Sequence, residues 1–420
     1  MTVWHRQHLV RNPCRRKTWH NRQMPTLRSF SIDERRERLA TRHRLATEHR
    51  TNDVVAIADS LVGLHSSDPA TVYLSVVARM RTPRLEVLST ALYEDRSVVR
   101  HHAMRRTMFV FSLDTARIAH GACTAALAAK EHNALARLIE SNGIDADGDR
   151  WIRQSKAATL EALSRRGGQA TAKQLGNDVP ALRAPLLFGE GKKWEGTIAA
   201  HTRVLLVLGF EGVLVRGRPV GSWISSQYHW ASMSDWLPDG VTGIEAGTAA
   251  PALVARYLAA FGPATTKDVQ WWTGWTVGAT RTALAAAGAT QVLVHGDEAW
   301  ALADDLDVTV ARDEPWVALL PGLDPTTMGW KQRDWYLQPG HAAALFDRNG
   351  NAGPTIWADG RVVGAWAQRK SGEIALRLLD DVGSETSAAV EQAAHDLQRL
   401  LGDTRISVRF PAPILAELLG

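Results

Sequence analysis

Cysteine is nearly absent: the 420 residues hold two, Cys14 and Cys123, with no CxxC partner. That excludes a disulfide framework and a cysteine-based zinc site, and it fits a reducing, cytoplasmic setting. Long apolar runs are missing too. No stretch approaches the roughly 18 to 20 consecutive apolar residues that a membrane span requires, so no membrane partner is expected. HExxH and comparable ligand spacings are lacking as well, and neither a metal nor a cofactor is expected. Acidic side chains are missing from the first 30 positions, which carry seven of the 49 Lys and Arg and none of the 44 Asp and Glu. The remainder therefore holds 42 basic against 44 acidic side chains, so the net charge of +5 describes the leader, and any basic surface on the body must be local.

The leader has no apolar core and is not a secretory signal. A transit peptide and an extended reading frame ahead of Met24 both fit, and residues 1–30 are expected to be a disordered basic arm. The rest is long enough for two or three domains with a sizeable core. Ser31 and Glu34 have capping-box spacing ahead of a charged helix. Asp53 opens a second helix that ends between Gly63 and Ser67. Asp68-Pro69 restarts the chain as a helix to about Met80, Asp accepting free N–H groups and Pro suiting the first helical position. A helix near Leu85 to Glu94 and a strand at Thr107 to Phe111 follow.

An internal repeat organises the middle. Gly168-Gln169-Ala170-Thr171-Ala172-Lys173 and Gly262-Pro263-Ala264-Thr265-Thr266-Lys267 share G-x-A-T-x-K, 94 residues apart. Each follows an amphipathic helix, and in each Thr is placed to cap a short one. A further helix and a hairpin come next, Gly212 to Pro219 in the first copy and Gln291 to Glu298 in the second. That order is the winged variant of the helix-turn-helix, and Ser31 to Ser112 ends in the same helix-then-strand order, as a third, degenerate copy would. From Pro315 the texture turns to strands. Asp359-Gly360 marks a hairpin, Lys370-Ser371-Gly372 turns again, a helix spans Glu385 to Leu401, and a strand at Arg405 to Phe410 closes the domain. The expected class is α+β: tandem winged-helix modules, then an antiparallel β-barrel-like domain, divided as 31–145, 146–240, 241–312 and 313–420.

Several blocks resemble the AlkZ- and YcaQ-type winged-helix DNA glycosylases: LVGLHSSDPATVYLSVVARM (61 to 80), VVRHHAMRRTMFVFSLD (98 to 114), YLAAFGPATTKDVQWWTG (257 to 274), LLPGLDPTTMGW and IWADGRVVGAW. The resemblance implies a C-shaped clamp on double-stranded DNA, built of tandem winged helices and a C-terminal barrel. Members that excise alkylated bases resemble one another in a Gln-apolar-Gln or Gln-apolar-Asp motif at the end of the second helix. This chain reads His65-Ser66-Ser67 there, followed by Asp68-Pro69, so His65 and Ser67 occupy the motif positions.

An N7-alkylguanine is cationic and a good leaving group, so an enzyme need only stabilise the sugar cation and aim a water. His65 can take a proton from that water, Ser67 can bond to it, and Asp68 can oppose the cation or act as base. Each also has an ordinary reading: Ser67 and Asp68 suit the N-cap of the following helix, and His65 can be a satisfied structural histidine. Arg100, Arg105 and Arg106 are candidates for phosphate contacts or for a salt-bridged edge. Lys173, Lys267 and Arg281 fall in the repeat helices, and Arg216 and Arg218 at an expected wing tip. Trp271, Trp272 and Trp275 are either core or a stacking cluster. Residues 31–129 contain no lysine, which disfavours a Schiff-base lyase step.

The expected activity is hydrolysis of the N-glycosidic bond of alkylated purines, N7-alkylguanine or bulky and crosslinked adducts, by a monomeric monofunctional glycosylase that leaves an abasic site. The competing reading is a noncatalytic winged-helix DNA-binding protein, a regulator or lesion sensor.

Overall fold

A computed structural model describes Met1 and residues 27–307 and 314–420. Its architecture is a mixture of helices and five small sheets. Most of the expected leader lies outside the described residues, but its last positions are ordered. Ser29–Phe30 pairs in parallel with Leu293 and Val294, Phe30 is buried, and Arg28 bonds Glu34. Residues 29 and 30 therefore belong to the fold and not to an arm, because an aromatic side chain there covers the edge of a sheet.

Three stretches share one order of elements. In the first, Asp53 accepts the N–H groups of Val55 and Ala56 and starts helix Val54–Ser60. Strand Leu64–His65, helices Pro69–Val77 and Glu86–Tyr93, and strands Val98–His102 and Met108–Ser112 follow. The last strand lies between the other two. In the second, helix Gly148–Arg165, strand Gln169–Thr171, helices Ala172–Asp178 and His201–Phe210, and strands Leu214–Pro219 and Tyr228–Ser232 repeat that order, again with the last strand central. In the third, helix Ala246–Phe261 leads to a bridge from Ala264 to Trp300. Helices Thr266–Thr273 and Val277–Ala286 and strands Thr290–Val294 and Asp297–Ala301 complete it. Thr171 and Thr265 both close reciprocal capping boxes, so the shared G-x-A-T-x-K spacing is a helix start built twice.

Two local expectations change. Gly212 to Pro219 is not a hairpin: Gly217 continues the strand, and its partner Tyr228–Ser232 returns after residues 220–227, where Gly221 supplies a left-handed φ of 85°. Arg216 and Arg218 therefore lie within a strand and not at its tip. The second unit also carries an additional hairpin, Pro185–Phe188 with Gly196–Ala199.

The C-terminal part is an open four-stranded antiparallel meander, Val317–Leu320, Thr355–Ala358, Arg361–Gln368 and Ile374–Leu378. Asp359 and Gly360 both have positive φ, as a tight hairpin requires. It is not a barrel: among the described residues the first and last strands do not pair, and helix Gly383–Leu401 packs against both. The expected strand at Arg405 to Phe410 is an irregular segment, bent at Arg409 and Phe410, outside any sheet. Its N–H groups bond side chains, Ile406 to Gln368 Oε1 and Arg409 to Asp68 Oδ2, so no ladder partner remains for them. A continuous hydrophobic core joins the first and third units to this sheet, whereas the second unit has a separate core around Leu163, Leu208 and Trp230.

Candidate active site

The His65-Ser66-Ser67-Asp68 stretch is held from both ends. Ahead of it, Gly63 packs on Phe111 so tightly that a Cβ would lie 2.4 Å from the ring, and only glycine allows this approach. Leu64 and His65 then pair with Val110 and Phe109, and Ser66 N–H bonds Met108 O at 2.8 Å. Behind it, Asp68 caps helix Pro69–Val77 through Oδ1, which accepts Ala70 N–H at 3.0 Å. The stretch is therefore the junction of an edge strand and a helix start.

Alternation across the pleat sorts its side chains. His65, Phe109 and His101 are cross-strand neighbours and share one face. His65 lies edge-on to Phe109, with centroids 5.2 Å apart. Ser67 N–H donates weakly to its Nδ1, at 3.5 Å. Burial, with the nearby Arg105 charge, pushes the His65 pKa down to about 3, so its imidazole is neutral near pH 7 and a weak proton acceptor. On the other face lies Arg100, paired with Val110. It is 3% exposed, donates to Ser66 Oγ at 3.1 Å and to the Tyr93 hydroxyl, and sits over the Tyr228 ring. Arg100 is therefore buried and not presented at the surface for a phosphate; it braces the stretch from below.

Asp68 is buried, and its Oδ2 accepts the backbone N–H of Arg409 at 3.0 Å. The Arg409 guanidinium donates to Ser67 O at 3.0 Å. A carboxylate has about four acceptor positions; two are used here, so Asp68 keeps capacity for a water while serving as a cap. It lines a cleft of about 280 Å³ with Ile224, Ser226, Ser407 and Arg409, and among the described residues no other acidic side chain lines that cleft. Arg409 and Arg100 are the site residues that sequence reasoning missed or misassigned. The first is 341 positions from its partner, and no local pattern marks it.

The other candidates divide by environment. Arg105 and Arg106 both have left-handed φ, 54° and 64°, in the turn between two strands. Arg105 stacks on Trp271 at 4.3 Å, whereas Arg106 is exposed and paired with Glu131 at 2.8 Å. Arg216 is half-buried over Tyr228 and Trp230; Arg218 is exposed and bonds Glu94 at 3.0 Å. Lys173, Lys267 and Arg281 are exposed on their helices. Trp272 is core, packed on Tyr257 and Phe261, and Trp271 is covered by Arg105 and Arg333. His101 and His102 point to opposite faces, His101 to His120 at 3.0 Å and His102 to the Phe210 ring. Among the described residues no three His, Cys, Asp or Glu are grouped to hold a metal ion, and no helix is long and apolar enough to cross a membrane.

Comparison with known proteins gives one family. The family model described as DNA glycosylase AlkZ-like matches residues 58–400. Over 220 residues the chain is 29% identical to the interstrand DNA cross-link repair glycosylase of Streptomyces sahachiroi, a match spanning 49% of this chain and 56% of that protein. The solved structure of the Streptomyces sahachiroi DNA glycosylase AlkZ superposes with a TM-score of 0.64 at 24% identity, covering 89% of this chain and 98% of that one. At that identity the likeness concerns the fold.

Proposed function

Because the chain belongs to the DNA glycosylase AlkZ-like family, we propose that it hydrolyses the N-glycosidic bond of alkylated purines in duplex DNA. N7-alkylguanine is the first candidate, bulky and crosslinked adducts are included, and the product is an abasic site. In this reading the three helix-strand-helix-helix-hairpin units are winged helices, and DNA runs past the exposed Lys173, Lys267 and Arg281. Arg106 and Arg218 reach phosphate by exchanging Glu131 and Glu94 for it, a small cost for exposed pairs.

The observation that carries the proposal is the Asp68 carboxylate: buried, fixed by two backbone N–H groups, and lining a cleft. The leaving base is already cationic, so the main demand is negative charge where the sugar becomes an oxocarbenium ion. Asp68 meets it and can take the proton of the attacking water. His65, neutral at working pH, orients that water, and Ser67 bonds to it. No lysine lies in the stretch from residue 31 to 129, in keeping with a hydrolase that does not proceed to strand cleavage.

The noncatalytic alternative draws on the same residues, since His65 is a poor base and Asp68 doubles as a cap. One experiment separates the readings: base release from a duplex with a single N7-methylguanine, and from one with a bulkier N7-alkyl adduct, by wild type, His65→Ala and Asp68→Asn at matched salt. Wild type should release base, and Asp68→Asn should bind the duplex yet lose turnover by about 10²-fold or more. Binding by wild type with no release of either base would reject the glycosylase reading.

A further inference from the structure

Beside the cleft at Asp68 lies a larger one of about 810 Å³, and the two share Ser226 and Arg409. Lys173, Arg183, Arg216 and Arg409 line it together with His201, and among the described residues no Asp or Glu does. Among the described residues Arg216 Nε is a buried nitrogen with no hydrogen-bond partner. Leaving such a donor unsatisfied in the interior is costly. An unmet donor beside four cations, with no carboxylate to balance them, suits an anionic partner that is not part of the chain.

We propose that this cleft binds the phosphodiester backbone of a single nucleic-acid strand, and that Arg409 conveys its occupation to Asp68. Guanidinium and ammonium groups are the natural donors to phosphate oxygens. The volume lies within the roughly 300–1,000 Å³ of small-ligand pockets, which suits a strand of a nucleotide or two and is too small for a duplex. Tyr228 and Trp230 form part of the wall, with the Arg216 guanidinium 5.6 and 5.3 Å from their ring centres. Cations interleaved with aromatic rings are the usual way of holding single strands. Arg409 joins the two clefts: its N–H holds Asp68 Oδ2 and its guanidinium holds Ser67 O. A phosphate oxygen entering the larger cleft competes with Ser67 O for that guanidinium. Only this coupling rests on Asp68 being the reacting group; the phosphate site stands without it.

The test is fluorescence anisotropy with a labelled oligothymidylate of eight nucleotides across a salt series, comparing wild type with the Lys173→Gln/Arg183→Gln double variant. Each lost phosphate contact on a single strand should flatten the log–log salt slope by about 0.7 and weaken binding about fivefold at 0.1 M salt. The double variant should therefore change by about 1.4 and about 25-fold, with an unaltered melting temperature. Lys130→Gln, which removes an exposed charge on another helix, should leave the slope as it is. An unchanged slope in the double variant, or an equal change in Lys130→Gln, overturns the cleft assignment. Displacement of the oligonucleotide by micromolar inorganic phosphate at constant ionic strength would mark a free-phosphate site and overturn the strand assignment. If wild type releases no base while the double variant loses the oligonucleotide, the glycosylase reading fails and the cleft stands. If wild type releases base while the double variant binds the oligonucleotide unchanged, the cleft assignment fails and the glycosylase reading stands.

Discussion

Replacing Asp324 by Asn should cost more stability than any surface change, because of what it leaves behind. Arg79 and Asp324 are both 0% exposed, and the pair ties the turn after helix Pro69–Val77 to the loop after strand Val317–Leu320. Arg79 places all five donor protons: two on the Asp324 oxygens at 2.9 and 2.8 Å, and one each on His43 O, Ser75 O and Thr326 Oγ1. Asp324 accepts in addition from Ser75 Oγ and Thr326 N–H. Burial alone would raise the Asp324 pKa, but Arg79, Ser75 and Thr326 together hold it below 3.8. A charge stranded by removal of its partner costs about 3–5 kcal/mol. Both Asp324→Asn and Arg79→Met should lose that much in urea unfolding followed by tryptophan fluorescence, to which Trp330, stacked on His43 within the same network, contributes. The double variant should lose about 2–3 kcal/mol less than the sum, because its second substitution removes the stranded charge. The carboxylate's pKa is depressed on folding, so the stabilisation should be complete above pH 3.8 and lost as pH falls below it. Singles within about 1 kcal/mol of wild type, or strictly additive losses, would refute the reasoning.

Two further outcomes follow from buried imidazoles. Burial, aided by Arg79 at His43, by Arg105 at His65 and by His120 at His101, pushes each pKa down from 6.5 to about 3. Between those values the unfolded chain binds protons that the folded chain does not, so stability falls with pH. At pH 5 each should cost about 2 kcal/mol relative to pH 7 and the three together about 6 kcal/mol; urea midpoints that stay flat from pH 7 to 5 would contradict the burial assigned to them. The second concerns His65 alone: as a neutral hydrogen-bonding group it should be replaceable by an amide, so His65→Gln should keep base release within about tenfold and His65→Ala should lose more. A limb near pH 6.5 in the pH–rate profile of base release that vanishes in His65→Gln would show the imidazole to be the proton acceptor after all.

What could be seen in the chain before folding was whatever closes within four or five residues. The caps at Asp53, Asp68, Thr171 and Thr265 and the turn at Asp359-Gly360 stand where residue type puts them, because each rests on a bond between near neighbours. The duplicated Thr cap carried the repeat with it. The errors all involve distant partners. Gly212 to Pro219 has the composition of a hairpin, but Gly217 is extended and the strand it serves pairs with Tyr228–Ser232, beyond an intervening loop. Residues 405 to 410 alternate like a strand, yet their N–H groups meet Gln368 and Asp68 side chains first.

The candidate site divides in the same way. Asp68 was legible as a cap, and a cap is all that its neighbours require of it. What separates it from an ordinary one is Arg409, which holds the second carboxylate oxygen and the Ser67 carbonyl together. A surface N-cap has no need of a segment brought back across 341 positions. Arg409→Ala would keep the backbone N–H that bonds Asp68 and remove only the guanidinium on Ser67, whereas Arg409→Pro would remove the N–H itself. If Asp68 is only structural, both should act on stability alone and in proportion to the bonds removed. If its orientation is set for reaction, Arg409→Pro should lower the rate of base release at saturating DNA further than its loss of stability explains, while Arg409→Ala weakens DNA binding first.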